Sequence, residues 1–225
     1  MTNALVLGAT GLCGSGFLKY AIAAPQLKKV FTITRSPIQE SDSKLNSIVD
    51  KDSSNWSNII SGLDENIDVL FTALATTRAV GGTGYQYKID HDLNVELAKA
   101  AREKGCSTIV IVTAHGAHAD SRFFYTKMKG EIERDISDLG FNRTIILRPG
   151  ILLGERHERL KGFGNGLAVK LGSLLYRTRL QSLGYPINGA EVGKVGVHLA
   201  LQENTAAKKV EIVKADELLQ LAASI

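Results

Sequence analysis

The stretch Ala4-Leu5-Val6-Leu7-Gly8-Ala9-Thr10-Gly11-Leu12-Cys13-Gly14 decides how the rest of the chain is read. Its four leading apolar residues read as a strand buried on both faces. The residues from Gly11 to Ala24 read as a helix stopped by Pro25. Glycines at 8, 11 and 14 join the two. Strand, glycine turn and helix in this order suit a dinucleotide. The turn lets the backbone approach a pyrophosphate, the last glycine lets helix and strand pack closely, and the helix N-terminus favours negative charge. The spacing is G-x-x-G-x-x-G rather than the commoner G-x-G-x-x-G; its position between strand and helix gives it weight. A phosphate loop of the Walker type is excluded, because no Gly-Lys-Ser/Thr follows.

The same reading distinguishes the two nicotinamide dinucleotides. A free ribose 2′-hydroxyl calls for Asp or Glu at the end of the second strand. Here Arg35 stands there, 21 residues past Gly14, and no acidic residue occurs between Gly14 and Glu40. A guanidinium suits a 2′-phosphate through charge-assisted hydrogen bonds. The alternative is a surface arginine that merely follows a strand. The expected cofactor is NADP(H).

Outward from the glycine turn, strand and helix signals alternate. Strands are predicted at Val30–Thr34, Ser47–Val49, Asp68–Leu74, Thr108–Thr113 and Thr144–Leu147, the last ended by Pro149. Helices are predicted over Asp90–Lys104, closed by Gly105, and around Arg122–Leu139, with a glycine-rich loop at Gly81–Gly84. Such alternation implies parallel pairing through right-handed crossovers. The predicted fold is α/β, a doubly wound parallel sheet of the Rossmann type. It forms one domain over 1–225, with a smaller C-terminal, substrate-side segment at about 150–190.

Composition removes several classes. The 225 residues are 44% hydrophobic and 22% charged, with a formal net charge of +4, which excludes a disordered or coiled-coil chain. No apolar run approaches the roughly 18–20 residues of a membrane span. The first strand begins almost at Met1, so no cleavable leader is expected. Two cysteines, Cys13 and Cys106, make no disulfide framework and point to a reducing compartment. His115-x-x-His118 lacks companions at ligand spacing, so no metal is expected. No nucleic-acid motif appears. Arg156, Arg159, Lys161, Lys170, Arg177 and Arg179 against Glu155 and Glu158 give six minus two, the chain's whole +4. Leu167, Leu171, Leu174 and Leu175 there share a helical face. Segment 156–179 is read either as a core-packed helix with solvated charges or as a basic face for an anionic membrane.

Tyr125 and Lys129 stand i and i+4 on a predicted helix, so they share a face. An ammonium beside a phenol favours phenolate and prepares it to exchange a proton with a carbonyl oxygen during hydride transfer. With the glycine turn, this pair resembles the short-chain dehydrogenase/reductase superfamily, as does Leu147-Arg148-Pro149-Gly150. More narrowly, the runs 71–78 (FTALATTR), 87–94 (YKIDHDLN), 121–131 (SRFFYTKMKGE) and 184–189 (GYPING) resemble its atypical branch. That branch holds the Tat-interacting-protein oxidoreductases and their fungal mitochondrial outer-membrane relatives.

The resemblance implies NADP(H) held by Gly8, Thr10, Gly11, Leu12, Gly14, Arg35, Ala73, Leu74, Ala75, Lys129 and Pro149. It implies Tyr125 as acid/base, Lys129 as its support, and Asn94 steadying the lysine through water. The superfamily's substrate-holding serine is replaced here by Thr113-Ala114, where Thr113 offers a hydroxyl. His115 is expected to border the substrate pocket. Two functions follow: an NADP(H)-dependent oxidoreductase acting on a carbonyl or alcohol that the sequence does not name, or an NADPH-binding regulatory or scaffold protein. The resemblance also implies peripheral attachment to the mitochondrial outer membrane, with the cytoplasm as the alternative. Exposed helices of this fold often pair, so a homodimer is an expectation.

Overall fold

The computed structural model describes residues 2–154, 172–178, 180–203 and 209–225. The main strands are β1 (Thr2–Leu7), β2 (Leu27–Thr34), β3 (Leu45–Val49), β4 (Val69–Thr72), β5 (Thr108–Val112), β6 (Arg143–Leu147) and, after a separate pair of β7 (Leu152–Leu153) with β8 (Ile187–Asn188), β9 (Lys209–Val213). The seven main strands form one parallel sheet in the order β3-β2-β1-β4-β5-β6-β9. Strand order reverses between β1 and β4, which opens a crevice beyond their C-terminal ends.

Side chains on a strand alternate between faces, and the core divides accordingly. Ala4 and Val6 of β1 join Val30, Phe71, Val110 and Ile145 in one buried cluster. There they meet Phe17 and Leu18 of α1 (Leu12–Ala23) and Val192 and Val195 of α6 (Gly189–Leu201). Leu218 of α7 (Ala215–Ser224) completes that layer. Leu5 and Leu7 face the other way, with Ile33, Leu70, Ile109 and Ile146. Their cover is Trp56 and Ile60 of α2 (Trp56–Ser61), Leu97 and Ala101 of α4 (Leu93–Glu103), and Ile132 and Ile136 of α5 (Phe124–Asp138). Apolar cover on both faces is why the strands read as unbroken apolar runs.

Most predicted elements are present within a few residues. Gly105 closes α4 as predicted, at φ +98°: its N–H reaches Arg102 O and the Cys106 N–H reaches Ala101 O, both at 3.0 Å. One expectation is corrected. The glycine-rich stretch Gly81–Gly84, expected as a loop, lies inside α3 (Arg78–Tyr87), where Gly81 (φ −162°) and Gly82 (φ +79°) both leave the helical conformation and kink it, while Gly84 is helical. After the β7–β8 pair the chain returns to the main sheet, adding β9 beside β6 and laying α6 and α7 over one face. Most of segment 156–179 lies outside the described residues; the part that is described has a helical turn over 172–175, with Leu174 74% exposed.

α1 and α6 touch through backbone. A methyl at Gly193 would stand 2.4 Å from the Gly16 carbonyl carbon, and one at Gly16 would stand 2.8 Å from Ala190 Cα. Gly193→Ala is therefore expected to force the helices apart and cost about 1–3 kcal/mol in urea unfolding. Gly84→Ala, whose methyl meets nothing within 4 Å, is the matched control. Equal losses in both would refute the contact.

Candidate active site

The glycine turn is built by contact. Gly8 takes φ +80°, and its carbonyl accepts the Gly11 N–H at 2.8 Å. A Cβ at Gly14 would stand 1.9 Å from that carbonyl oxygen, and one at Gly8 would stand 2.8 Å from the Ala73 carbonyl carbon. The β1–α1 turn therefore lies directly against the exit of β4, where Ala73, Leu74 and Ala75 run partly exposed. Gly11 caps α1 without a side-chain hydrogen bond, and no acidic residue stands in the first turn. The end where Thr10 is exposed and Leu12 half-buried is thus electropositive and open to an anion. This cradle fits a dinucleotide pyrophosphate. Arg35 is exposed one residue past β2, the strand next to β1.

Three side chains of α5 point to one face: Tyr125, Lys129 and Glu133, at successive i+4 positions. Tyr125 is 45% exposed, whereas Lys129 is buried beneath it with its ammonium 5.8 Å from the ring centroid. Lys129 Nζ donates to Asp90 Oδ2 at 3.0 Å. Burial pushes the Lys129 amine down, but Asp90 and then Tyr125 overcome it, and the ammonium is held above its ordinary range. The sign follows: the lysine stays charged through neutral and mildly basic pH, and its contribution to stability is lost only as pH rises past the raised value.

Asn94 does not touch Lys129 directly. Its Nδ2 donates to Leu74 O at 3.0 Å and Asp90 O at 2.9 Å, while its Oδ1 accepts the Thr72 hydroxyl at 2.5 Å. Lys129 has a direct ion pair with Asp90, and Asn94 holds the backbone around that pair. Thr113 is tied into the same wall. Its hydroxyl donates to Glu133 Oε1 at 2.6 Å, and Glu133 is gripped by Arg148 through Nε at 2.9 Å and Nη2 at 2.5 Å. In this arrangement the Thr113 proton is directed at a buried carboxylate, and the neighbouring Ala114 carries no hydroxyl. Pro149 is buried; its carbonyl accepts the His115 N–H at 2.8 Å, and the His115 ring lies 5.4 Å from that of Tyr185.

Asp90, Glu133 and Arg148 escaped the sequence reading. Glu133 was signalled by spacing, being i+4 from Lys129 and i+8 from Tyr125. Asp90 was not, because a π-helical turn at Lys88–Asp92 sets its direction and ordinary helical spacing misplaces it. Among the described residues no group of three His, Cys, Asp or Glu is placed to hold a metal ion, and no helix is long and apolar enough to cross a membrane. Cys106 is buried, which pushes its thiol up to about 12.

The profile of the family described as HIM1 matches residues 40–177. "Protein FMP52, mitochondrial" of Saccharomyces cerevisiae is 58% identical, over 99% of this chain and 97% of that protein. The protein of the same name from Candida albicans is 43% identical over 99% of both. Among solved structures, a short chain dehydrogenase family protein from Francisella tularensis superposes with TM-score 0.68 at 15% identity, covering 98% of this chain and all of that one. MoeE5 in complex with UDP-glucose and NAD superposes with TM-score 0.66 at 14% identity, covering 99% of this chain and 81% of its own. At such identities these two structures share the fold.

Proposed function

The chain belongs to the FMP52 family, and from that premise we propose that it is an NADP(H)-dependent oxidoreductase acting on a carbonyl or alcohol. Kinship with the Tat-interacting-protein oxidoreductases is part of the same proposal. The observation that carries it is a half-exposed phenol, Tyr125, standing over a fully buried ammonium, Lys129, at the strand ends that also carry the glycine cradle. NADPH, when bound, supplies a hydride to the carbonyl carbon. Tyr125 gives its phenolic proton to the carbonyl oxygen, an alcohol forms, and solvent returns the proton. Lys129 keeps positive charge beside the phenol throughout. The Gly8–Gly14 turn and the open end of α1 hold the pyrophosphate, and Arg35 meets the 2′-phosphate.

One observation favours a second reading. Thr113 is locked to Glu133, so its hydroxyl at the end of β5 is not free to hold a carbonyl. A chain that binds NADPH as a regulatory signal or scaffold, with little turnover, needs no such hydroxyl.

We also propose that the protein is mitochondrial, as its relatives are named, and peripheral at the outer membrane through segment 156–179. The exposed Leu174 and Arg177 in the described part support this, since neither packs in the core.

Fluorescence titration should show NADPH binding more tightly than NADH, and Arg35→Asp should weaken NADPH by about 10-fold or more. Equal affinities in the wild type would refute the NADP assignment. In a screen of carbonyl substrates, Tyr125→Phe should cut turnover by about 10²-fold or more while leaving NADPH binding in place. Wild-type binding without turnover on any substrate selects the scaffold reading. Anionic vesicles should float the wild type and lose the variant carrying Lys170→Glu, Arg177→Glu and Arg179→Glu; undiminished flotation removes the membrane assignment.

A further inference from the structure

A single carboxylate links the walls of this site. Asp90 is 1% exposed and sits in the π-helical turn between α3 and α4. A π turn closes i→i+5 bonds and widens the helix, re-aiming the residue it carries. Oδ2 of Asp90 accepts from Lys129 Nζ at 3.0 Å, and Oδ1 accepts the backbone N–H of Thr76 at 2.6 Å. Its own carbonyl accepts from Asn94 Nδ2. The crossover after β4, the β4 exit and α5 therefore meet at one group. Because Gly8 packs on Ala73, the contacts run unbroken from the glycine turn through Leu74–Thr76 and Asp90 to Lys129 and Tyr125.

We propose that Asp90 is the positioning residue of this site, supplying the counter-charge to Lys129 and holding α5 in register with the β4 exit. The inference rests on the reading of Tyr125 and Lys129 given above. A buried ammonium with no counter-charge loses its proton rather than remain ionised in an apolar setting. Among the described residues the charged and titratable groups that bear most on Lys129 are Asp90, Tyr125 and Glu133, and Glu133 is already gripped by Arg148. Tyr125 is neutral while its proton is in place, so the carboxylate left to balance the ammonium is that of Asp90. A carboxylate here does what an amide cannot, although Asp90→Asn leaves the space filled.

The test uses the full-length chain without nucleotide. Nitrogen-15 spectra of labelled lysine follow the Lys129 amine, assigned by its loss in Lys129→Met. In the wild type its midpoint should lie above the ordinary lysine range. In Asp90→Asn it should fall below that range, and Asp90→Glu should recover most of the difference. A midpoint at or above the ordinary range in Asp90→Asn overturns the proposal. Thermal melting gives a second readout. Asp90→Asn should lower Tm by about 10 °C in the wild-type background and far less in the Lys129→Met background. Equal losses in the two backgrounds would mean that Asp90 serves only Thr76, which also overturns it. If Asp90→Asn fails to fold, the double variant with Lys129→Met decides: a folded double variant supports the ion-pair role, and an unfolded one overturns it. None of these readouts needs cofactor or turnover. A wild-type chain that binds no NADPH therefore removes the functional reading and leaves the result on Asp90 standing.

Discussion

The distance between α1 and β1 controls everything at the C-terminal edge of the sheet. A Cβ on Gly14 would overlap the Gly8 carbonyl, so the helix starts directly on the turn that feeds it. That closeness aims the uncapped amides of α1 at the crevice where strand order reverses, and it presses the turn against the exit of β4. On the outer side of α1 the same economy of side chain, at Gly16 and Gly193, lets α6 lie backbone to backbone on it. A helix held on both sides without intervening side chains has little room to shift. The open end of α1 is fixed by packing alone.

Charge is handled differently on the other wall. One face of α5 carries a phenol, an ammonium and a carboxylate at successive i+4 positions, and the two ions are buried. Neither is neutralised by the other. Lys129 takes Asp90 from the crossover after β4, and Glu133 takes Arg148 from the end of β6. Buried pairs of this kind add little net stability, because desolvation offsets most of the attraction, yet leaving one member unpaired costs about 3–5 kcal/mol. Their effect is positional. α5 is docked in one register against two strand exits, and that register presents Tyr125 to solvent.

Much of this was legible beforehand. The run Ala4-Leu5-Val6-Leu7 and the later apolar runs determined a parallel sheet, since strands buried on both faces lack polar alternation. Tyr125 and Lys129 were legible because an ordinary α-helix puts i and i+4 together. What was missed depended on departures from regular geometry or on contacts distant in sequence. Gly81–Gly84 looked like a loop because glycine disfavours helix, yet only Gly81 and Gly82 leave the helical region and the helix resumes after them. Asp90 was hidden by a π turn, and the capture of Thr113 by Glu133 joins residues 20 apart on different elements. The return of the chain to form β9 carried a weak signal, for Val210, Glu211 and Ile212 alternate on a half-exposed edge.

That late return bears on how the molecule is made. β6 is buried along its whole length and ends in the apolar run Ile145–Leu147, with β5 on one side and β9 on the other. Yet 61 residues, 148–208, separate Leu147 from the first residue of β9. At roughly 5–20 residues per second of synthesis, β6 stands as an open, sticky sheet edge for about 3–12 s after it emerges. During that interval the nascent sheet is nearly complete and unguarded on one side. The step that ends its exposure is a pairing across as long a gap as the one that joins β1 to β4, the slow kind for a chain to find.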